Sequence, residues 1–191
     1  RGLGDVYKRQ EQYPDGTLFV DLFGGSGLLS HITKSLKPHS TVIYNDFDNY
    51  RFRMKHIPQT NQLLADIREM VGNSVPRHKI IKGELRERIF SRIEQEENST
   101  GYVDFIALSS SILFSMKYKL SVQDMRKEAL YNNIRKTGYP ECTDYLEGLE
   151  IVSCDYKEVF NRYKDIPGVV FLVDPPYLST DVGTYNMYWN M

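Results

Sequence analysis

The sequence predicts an α/β fold built on an open parallel sheet, and three observations predict it. An apolar segment over residues 17–23 runs into the glycine cluster Gly24-Gly25-Ser26-Gly27 and then into apolar positions at helical spacing, the strand–turn–helix order of an α/β unit. Four apolar segments, 17–23, 41–45, 149–154 and 169–173, have strand length, and each of the last three runs into an acidic residue at or just beyond its carboxyl end. A chain of 191 residues also has room for one domain with a real core.

In the first unit, Gly25 and Gly27 let the backbone turn sharply and come close to a ligand. Free N–H groups at the start of the next helix favour polar or anionic ligand atoms. The spacing Phe-x-Gly-x-Gly differs from the G-x-G-x-x-G of dinucleotide enzymes, which argues against nicotinamide or flavin binding. Leu28, Leu29, Ile32 and Leu36 mark the helix, and Pro38 stops it. The second strand ends at Asn45-Asp46-Phe47-Asp48, where Asp46 is placed to accept hydrogen bonds from ribose hydroxyls. The alternative for Asp46 is a helix N-cap, although Asp48 sits closer to the helix that Tyr50, Phe52 and Met54 suggest and reads as the better cap.

The middle of the chain carries the basic charge. The net charge is −1, yet residues 77–136 hold twelve Lys/Arg against eight acids. Ile81, Leu85 and Ile89 recur every four residues, with Lys79, Lys82 and Arg86 on a neighbouring stripe, which predicts a helix over 77–93 with a cationic flank. Such a flank suits phosphates, whereas Glu84, Glu87 and the acids of 94–97 suit a solvated face. Residues 94–101 read as a polar loop, and 104–115, with Phe105, Leu108, Ile112 and Leu113, as a core segment. Ser121-Val122-Gln123-Asp124 resembles a capping box opening a helix toward Lys136, with Gly138 and Pro140 ending it. On that helix Asn132, Asn133 and Arg135 are residue types that read base edges, Asn on adenine and Arg on guanine.

Beyond the third apolar segment, Asp155 with Glu158 fits a helix cap, and equally a group beside a ligand crevice. After the fourth come Asp174-Pro175-Pro176-Tyr177. Each proline fixes φ and removes a backbone donor, and proline keeps the preceding residue extended. The result is a rigid shelf of acceptors beside a stacking ring, suited to a planar amino group. Composition excludes other classes: 26% charged and 41% hydrophobic residues describe an ordinary globular chain, and no apolar run approaches the ~18 residues of a membrane span. Cys142 and Cys154 form no close pair and four scattered histidines supply no metal spacing, so no metal is expected and a reducing intracellular setting fits best.

Taken in order, Phe19-Val20-Asp21-Leu22-Phe23-Gly24-Gly25-Ser26-Gly27, Asn45-Asp46, Cys154-Asp155-Tyr156 and Asp174-Pro175-Pro176-Tyr177 resemble the Dam-like family of DNA adenine-N6 methyltransferases. The resemblance implies a Rossmann-like sheet, S-adenosylmethionine as methyl donor, and double-stranded DNA as substrate. By that resemblance Asp21, Phe23, Gly25 and Gly27 belong to the cofactor site, the last three along the methionine part, with Asp46 on the ribose and Asp155 at the adenine. Asp174 and the Pro175 carbonyl would accept hydrogen bonds from the target amino group, with Pro176 completing the shelf and Tyr177 stacking on the extruded base. The implied division is 17–55 and 149–191 as catalytic core, 56–148 as a helical insert for target recognition, and 1–16 as a segment of non-native look that lacks the family's glycine-lysine element. The chain reads as a fragment whose sheet lacks later strands at the C-terminus, and reduced stability or activity is expected of it. Methylation of cytosine or of a glutamine amide is the alternative within enzymes, although Asn or Ser usually stands there in place of Asp174. A nucleic-acid-binding remnant without catalysis is the alternative outside enzymes. The implied setting is the cytoplasm of a bacterial or phage-infected cell, with a restriction endonuclease as a further partner.

Overall fold

A computed structural model of the protein describes residues 12–114, 117–142 and 144–175. In chain order the elements are β1 (Phe19–Asp21), α1 (Leu28–Leu36), β2 (Val42–Asn45), α2 (Tyr50–Lys55), α3 (Ile57–Val71), β3 (Ile80–Ile81), α4 (Gly83–Thr100), α5 (Phe105–Ile112), α6 (Val122–Met125), β4 (Leu130–Tyr131), β5 (Glu150–Val152), α7 (Tyr156–Tyr163) and β6 (Val170–Leu172). They fall into two compact units, one holding the described residues up to Met54 and from Cys142 onward, the other Lys55–Glu141.

The first unit is a four-stranded sheet in the order β5-β2-β1-β6 with every pair parallel. The chain moves outward from β1 to β2 to β5 and then returns to place β6 on the other side of β1, so the order reverses between β1 and β6. Ligands of open α/β sheets bind outside the carboxyl ends of the strands at such a reversal. The central strands β1 and β2 are buried along their whole length, and the outer strands β5 and β6 only in part. Parallel sheets are covered on both faces, which is why β1 and β2 read as continuous runs of apolar residues rather than as alternation. On one face Val20, Leu22 and Ile43 pack with Val159 of α7, and Phe23, Val152, Tyr156 and Phe171 join them. This is the open parallel sheet that the four apolar segments predict, in the Rossmann-like arrangement that the family resemblance implies.

The second unit gathers α3, α4, α5, α6 and a two-stranded antiparallel sheet of β3 with β4 around one core that includes Leu64, Ile67, Phe90, Leu108 and Leu130. Three expectations are corrected here. The helix predicted over 77–93 begins only at Gly83, because Ile80 and Ile81 pair with Tyr131 and Leu130 as strand, and Gly83 turns at φ 60°. Lys79 therefore lies before β3 and Lys82 at the cap position of α4, so Lys79, Lys82 and Arg86 do not share one helical stripe. The polar stretch 94–101 is helix to Thr100, held by the buried Ile93 and the Arg92–Glu96 ion pair at 2.8 Å one turn apart, and ends at the left-handed Gly101.

Ser121 does cap a helix, accepting a hydrogen bond from the Asp124 amide at 3.2 Å, but α6 stops at Met125 rather than running toward Lys136. Asn132, Asn133 and Arg135 accordingly follow a strand and stand on no helix. Pairing with Ile80–Ile81, which buries Leu130 and Ile81, overrides local helical preference over this stretch.

Candidate active site

The site grows from the carboxyl ends of the four parallel strands. Asp21 ends β1 and lies in register with Tyr44 of β2 and Leu172 of β6. Asn45 ends β2 in register with Val152 of β5. The Leu22 amide donates to the Leu172 carbonyl at 3.1 Å and the Asp46 amide to the Val152 carbonyl at 2.8 Å, extending both pairings one residue into the turns. The glycine turn after β1, Asp46 after β2, Asp155 after β5 and Asp174-Pro175 after β6 are thus brought to one end of the sheet. Pro176 and Tyr177 lie outside the described residues.

The glycine turn is built as its spacing suggests. Gly25 and Gly27 hold φ of 48° and 78°, backbone that side-chain-bearing residues rarely adopt. The Gly27 amide donates to the Gly24 carbonyl at 2.7 Å, and Gly27 opens α1 with no side-chain cap. Gly24 was not singled out by spacing, yet it is the most constrained glycine of the turn: a Cβ there would stand 2.2 Å from the Tyr44 ring and 2.7 Å from the Asn45 carbonyl oxygen. Gly27 lies under Leu146, whose Cδ2 would be 2.7 Å from an added Cβ. Tyr145 beside it stacks on His31 of α1 with centroids 4.4 Å apart, and His31 Nδ1 makes a 2.8 Å hydrogen bond to the Tyr145 carbonyl.

Asp21 is fully buried beneath this turn. Its Oδ2 accepts from Ser30 Oγ at 2.8 Å, while Oδ1 has no hydrogen-bond partner among the described residues. Burial pushes its carboxyl up to about 6, against the Ser30 hydroxyl and the nearby Phe23 amide that favour the charged form, and the Asp174 charge adds to the rise. Phe23 itself packs on Tyr156 with centroids 4.9 Å apart.

Asp46 is buried and does cap the following helix, since its carboxylate accepts from the Tyr50 amide at 2.6 Å and the Arg51 amide at 3.1 Å. Asp46 thus holds the start of α2, with a left-handed Asn49 just before it. Asp155 is the N-cap of α7 and accepts from the Lys157 amide at 2.8 Å.

Two residues that the sequence reading left without a role hold the site together. The Asn45 side chain donates to the Leu22 carbonyl at 3.0 Å and the Cys154 carbonyl at 2.9 Å, and accepts from the Cys154 amide at 3.1 Å, tying the ends of β1, β2 and β5. The Tyr44 hydroxyl lies 2.8 Å from the Gly25 carbonyl and 3.1 Å from Asp46 Oδ1. The one available signal was an asparagine closing an apolar strand, where that residue type is depleted.

The residues suggested for nucleic-acid contact are dispersed. Lys79 and Lys82 are exposed. Arg86 is occupied, donating to Glu87 at 2.7 Å and to the Arg126 carbonyl at 2.6 Å while lying over the Phe90 ring. Asn132 is buried and donates to the Val75 carbonyl at 2.7 Å, and Asn133 donates to the Leu113 carbonyl at 3.2 Å. Arg135 lies over the Tyr139 ring. Among the described residues no helix is long and apolar enough to cross a membrane, and no group of three or more His, Cys, Asp or Glu is placed to hold a metal ion.

Residues 9–191 match the family described as D12 class N6 adenine-specific DNA methyltransferase. A Haemophilus influenzae protein named "Putative methyltransferase" is 39% identical over 171 residues, covering 90% of this chain and 57% of that relative, so the chain spans little more than half the relative's length. No solved structure matches the chain. The chain belongs to the D12 class N6 adenine-specific DNA methyltransferase family.

Proposed function

We propose that the protein to which this D12-class chain belongs transfers the methyl group of S-adenosylmethionine to the N6 amino group of adenine in duplex DNA. The observation that carries the reading is the parallel pairing of β1 with β6, which sets the glycine turn and Asp174-Pro175 side by side at one end of the sheet. Methyl transfer needs that adjacency, because holding donor and acceptor in line replaces a bimolecular encounter.

The residues beneath the glycine turn fit a cationic cofactor. A fully buried Asp21 with one carboxylate oxygen unpartnered among the described residues is a ready counter-charge, and left-handed glycines let backbone approach closely. When bound, S-adenosylmethionine supplies an electrophilic methyl on a positively charged sulfur. In this reading Asp21 lies in the cofactor site as the counter-charge, Phe23, Gly25 and Gly27 hold the methionine part, Asp46 the ribose and Asp155 the adenine.

Asp174 is exposed and open to substrate. Its carboxylate and the Pro175 carbonyl accept hydrogen bonds from the amino group and draw the nitrogen lone pair out of conjugation with the ring, toward the methyl. As the N–C bond forms and the methyl–sulfur bond breaks, the nitrogen gains positive charge, which the Asp174 carboxylate stabilises until a proton leaves the nitrogen. The base must first leave the helix, at a cost of a few kcal/mol that stacking on Tyr177 offsets in this reading. Aspartate at 174, where enzymes acting on cytosine or glutamine usually carry Asn or Ser, favours adenine.

For the DNA backbone we propose Lys79, Lys82 and Arg135, whose charges are exposed; Arg86, Asn132 and Asn133 are committed to internal contacts. The same reading places the protein in the cytoplasm of a bacterial or phage-infected cell, with a restriction endonuclease as a further partner. The test is expression of the complete gene with tritiated cofactor and identification of the labelled base. Asp174→Ala should lose turnover and keep cofactor crosslinking; turnover by that variant would refute the assignment.

A further inference from the structure

We infer that Tyr44 is a positioning residue of the cofactor site, its single hydroxyl proton shared between the glycine turn and Asp46 so that seating a ribose at one end orders the turn at the other. The inference rests on the S-adenosylmethionine reading above. It starts from packing. The Tyr44 ring is fully buried, lies directly against Gly24 and stands 3.6 Å from the place a Gly27 Cβ would take. The ring is thus the pedestal of the whole turn, and a phenylalanine would fill the same space. Packing alone asks nothing of the hydroxyl.

The hydroxyl faces two acceptors, the Gly25 carbonyl at 2.8 Å and Asp46 Oδ1 at 3.1 Å, and a phenol has one proton to give. Burial, with the adjacent Asp46 charge, pushes the phenol pKa upward, so the group stays a donor. Asp46 already accepts from the Tyr50 and Arg51 amides. A carboxylate has about four acceptor positions, so with Tyr44 engaged roughly one remains for a ligand. A ribose diol brings two donors of its own. Seated on Asp46, it releases the Tyr44 proton to the Gly25 carbonyl, already the shorter of the two contacts. The glycine turn is then fixed before the methionine part reaches it, which is positive coupling between the two halves of one ligand.

The test compares ligands that do and do not reach the turn. In Tyr44→Phe, S-adenosylhomocysteine should bind about tenfold more weakly, the size of a lost hydrogen bond. Adenosine, which meets Asp46 and Asp155 and stops short of the glycine turn, should bind as before or slightly more tightly, because a competitor for the carboxylate has gone. A merely structural role would weaken both ligands alike, and equal loss, or none, overturns the inference. The cofactor reading fails separately: it falls if the wild-type chain binds neither ligand. If wild type binds, Asp46→Asn weakens both ligands and Tyr44→Phe behaves as wild type, only the Tyr44 inference falls. Should Tyr44→Phe not fold, difference infrared spectra of the wild-type chain labelled with carbonyl-13C glycine decide the matter. Adenosine should move a glycine carbonyl band to lower frequency, and an unmoved band refutes the sharing.

Discussion

Replacing Asp21 by asparagine probes the electrostatics under the glycine turn most directly. The side chain is fully buried with one oxygen unpartnered among the described residues, and burial raises its pKa from 3.8 to about 6. An unfolded chain titrates it near 3.9, so the folded state binds the proton more tightly and the ionised form is the disfavoured one. The sign follows. Below about pH 4 both states are protonated and the group contributes no penalty; the penalty grows between about 4 and 6 and is complete above, at about 3 kcal/mol for a shift of roughly two units at 1.36 kcal/mol each. Between about pH 7.5 and pH 5 some 1.4 kcal/mol of it, about half, is relieved. Asparagine does not titrate, so the difference in unfolding free energy between wild type and Asp21→Asn should move by about that amount in favour of wild type as pH falls across this range. Urea unfolding of both proteins at several pH values measures it. A constant offset from altered hydrogen bonds at position 21 cancels in the slope, and so do the other carboxylates. A difference that stays flat within about 0.3 kcal/mol, or that moves the other way, refutes the assignment of a strained buried charge.

Asn45→Ala removes three hydrogen bonds and strands the Leu22 and Cys154 carbonyls, so a loss of about 2–4 kcal/mol in denaturant unfolding is expected, with faster exchange of the Cys154 amide. Gly24→Ala forces a methyl to 2.2 Å from the Tyr44 ring, and should cost about 1–3 kcal/mol of stability together with cofactor affinity, read by melting and by ligand titration. Lys79→Ala combined with Lys82→Ala should lower DNA affinity at every sequence and reduce the slope of log affinity against log salt by about 2, measured by fluorescence anisotropy of labelled duplex. Asn132→Ala should instead destabilise the unit by about 1–3 kcal/mol by orphaning the Val75 carbonyl and leave the salt slope alone.

How far the sequence reaches depends on whether a feature is written locally. The sheet was legible because β1 and β2 are buried throughout and so carry unbroken apolar runs, and because each turn at their carboxyl ends bears a glycine cluster or an acid. The second unit was harder for the converse reason. Its short β3 and β4 exist only by pairing across fifty residues of chain, Ile80 with Tyr131 and Ile81 with Leu130, and no local pattern announces a partner so distant. Ile81, at a strand position, falls by chance into step with helical Leu85 and Ile89, which is why one long helix was expected there. The same logic explains why Asp46 stood out as a candidate residue and Tyr44 did not. An exposed-looking acid beyond a strand stands out in one dimension, whereas a tyrosine at the end of an apolar strand is indistinguishable from core until its hydroxyl is seen between two turns. The candidate ligand contacts of such a site are therefore readable from residue type and place, and the residues that hold those candidates in register emerge only when strands far apart in the chain are laid side by side.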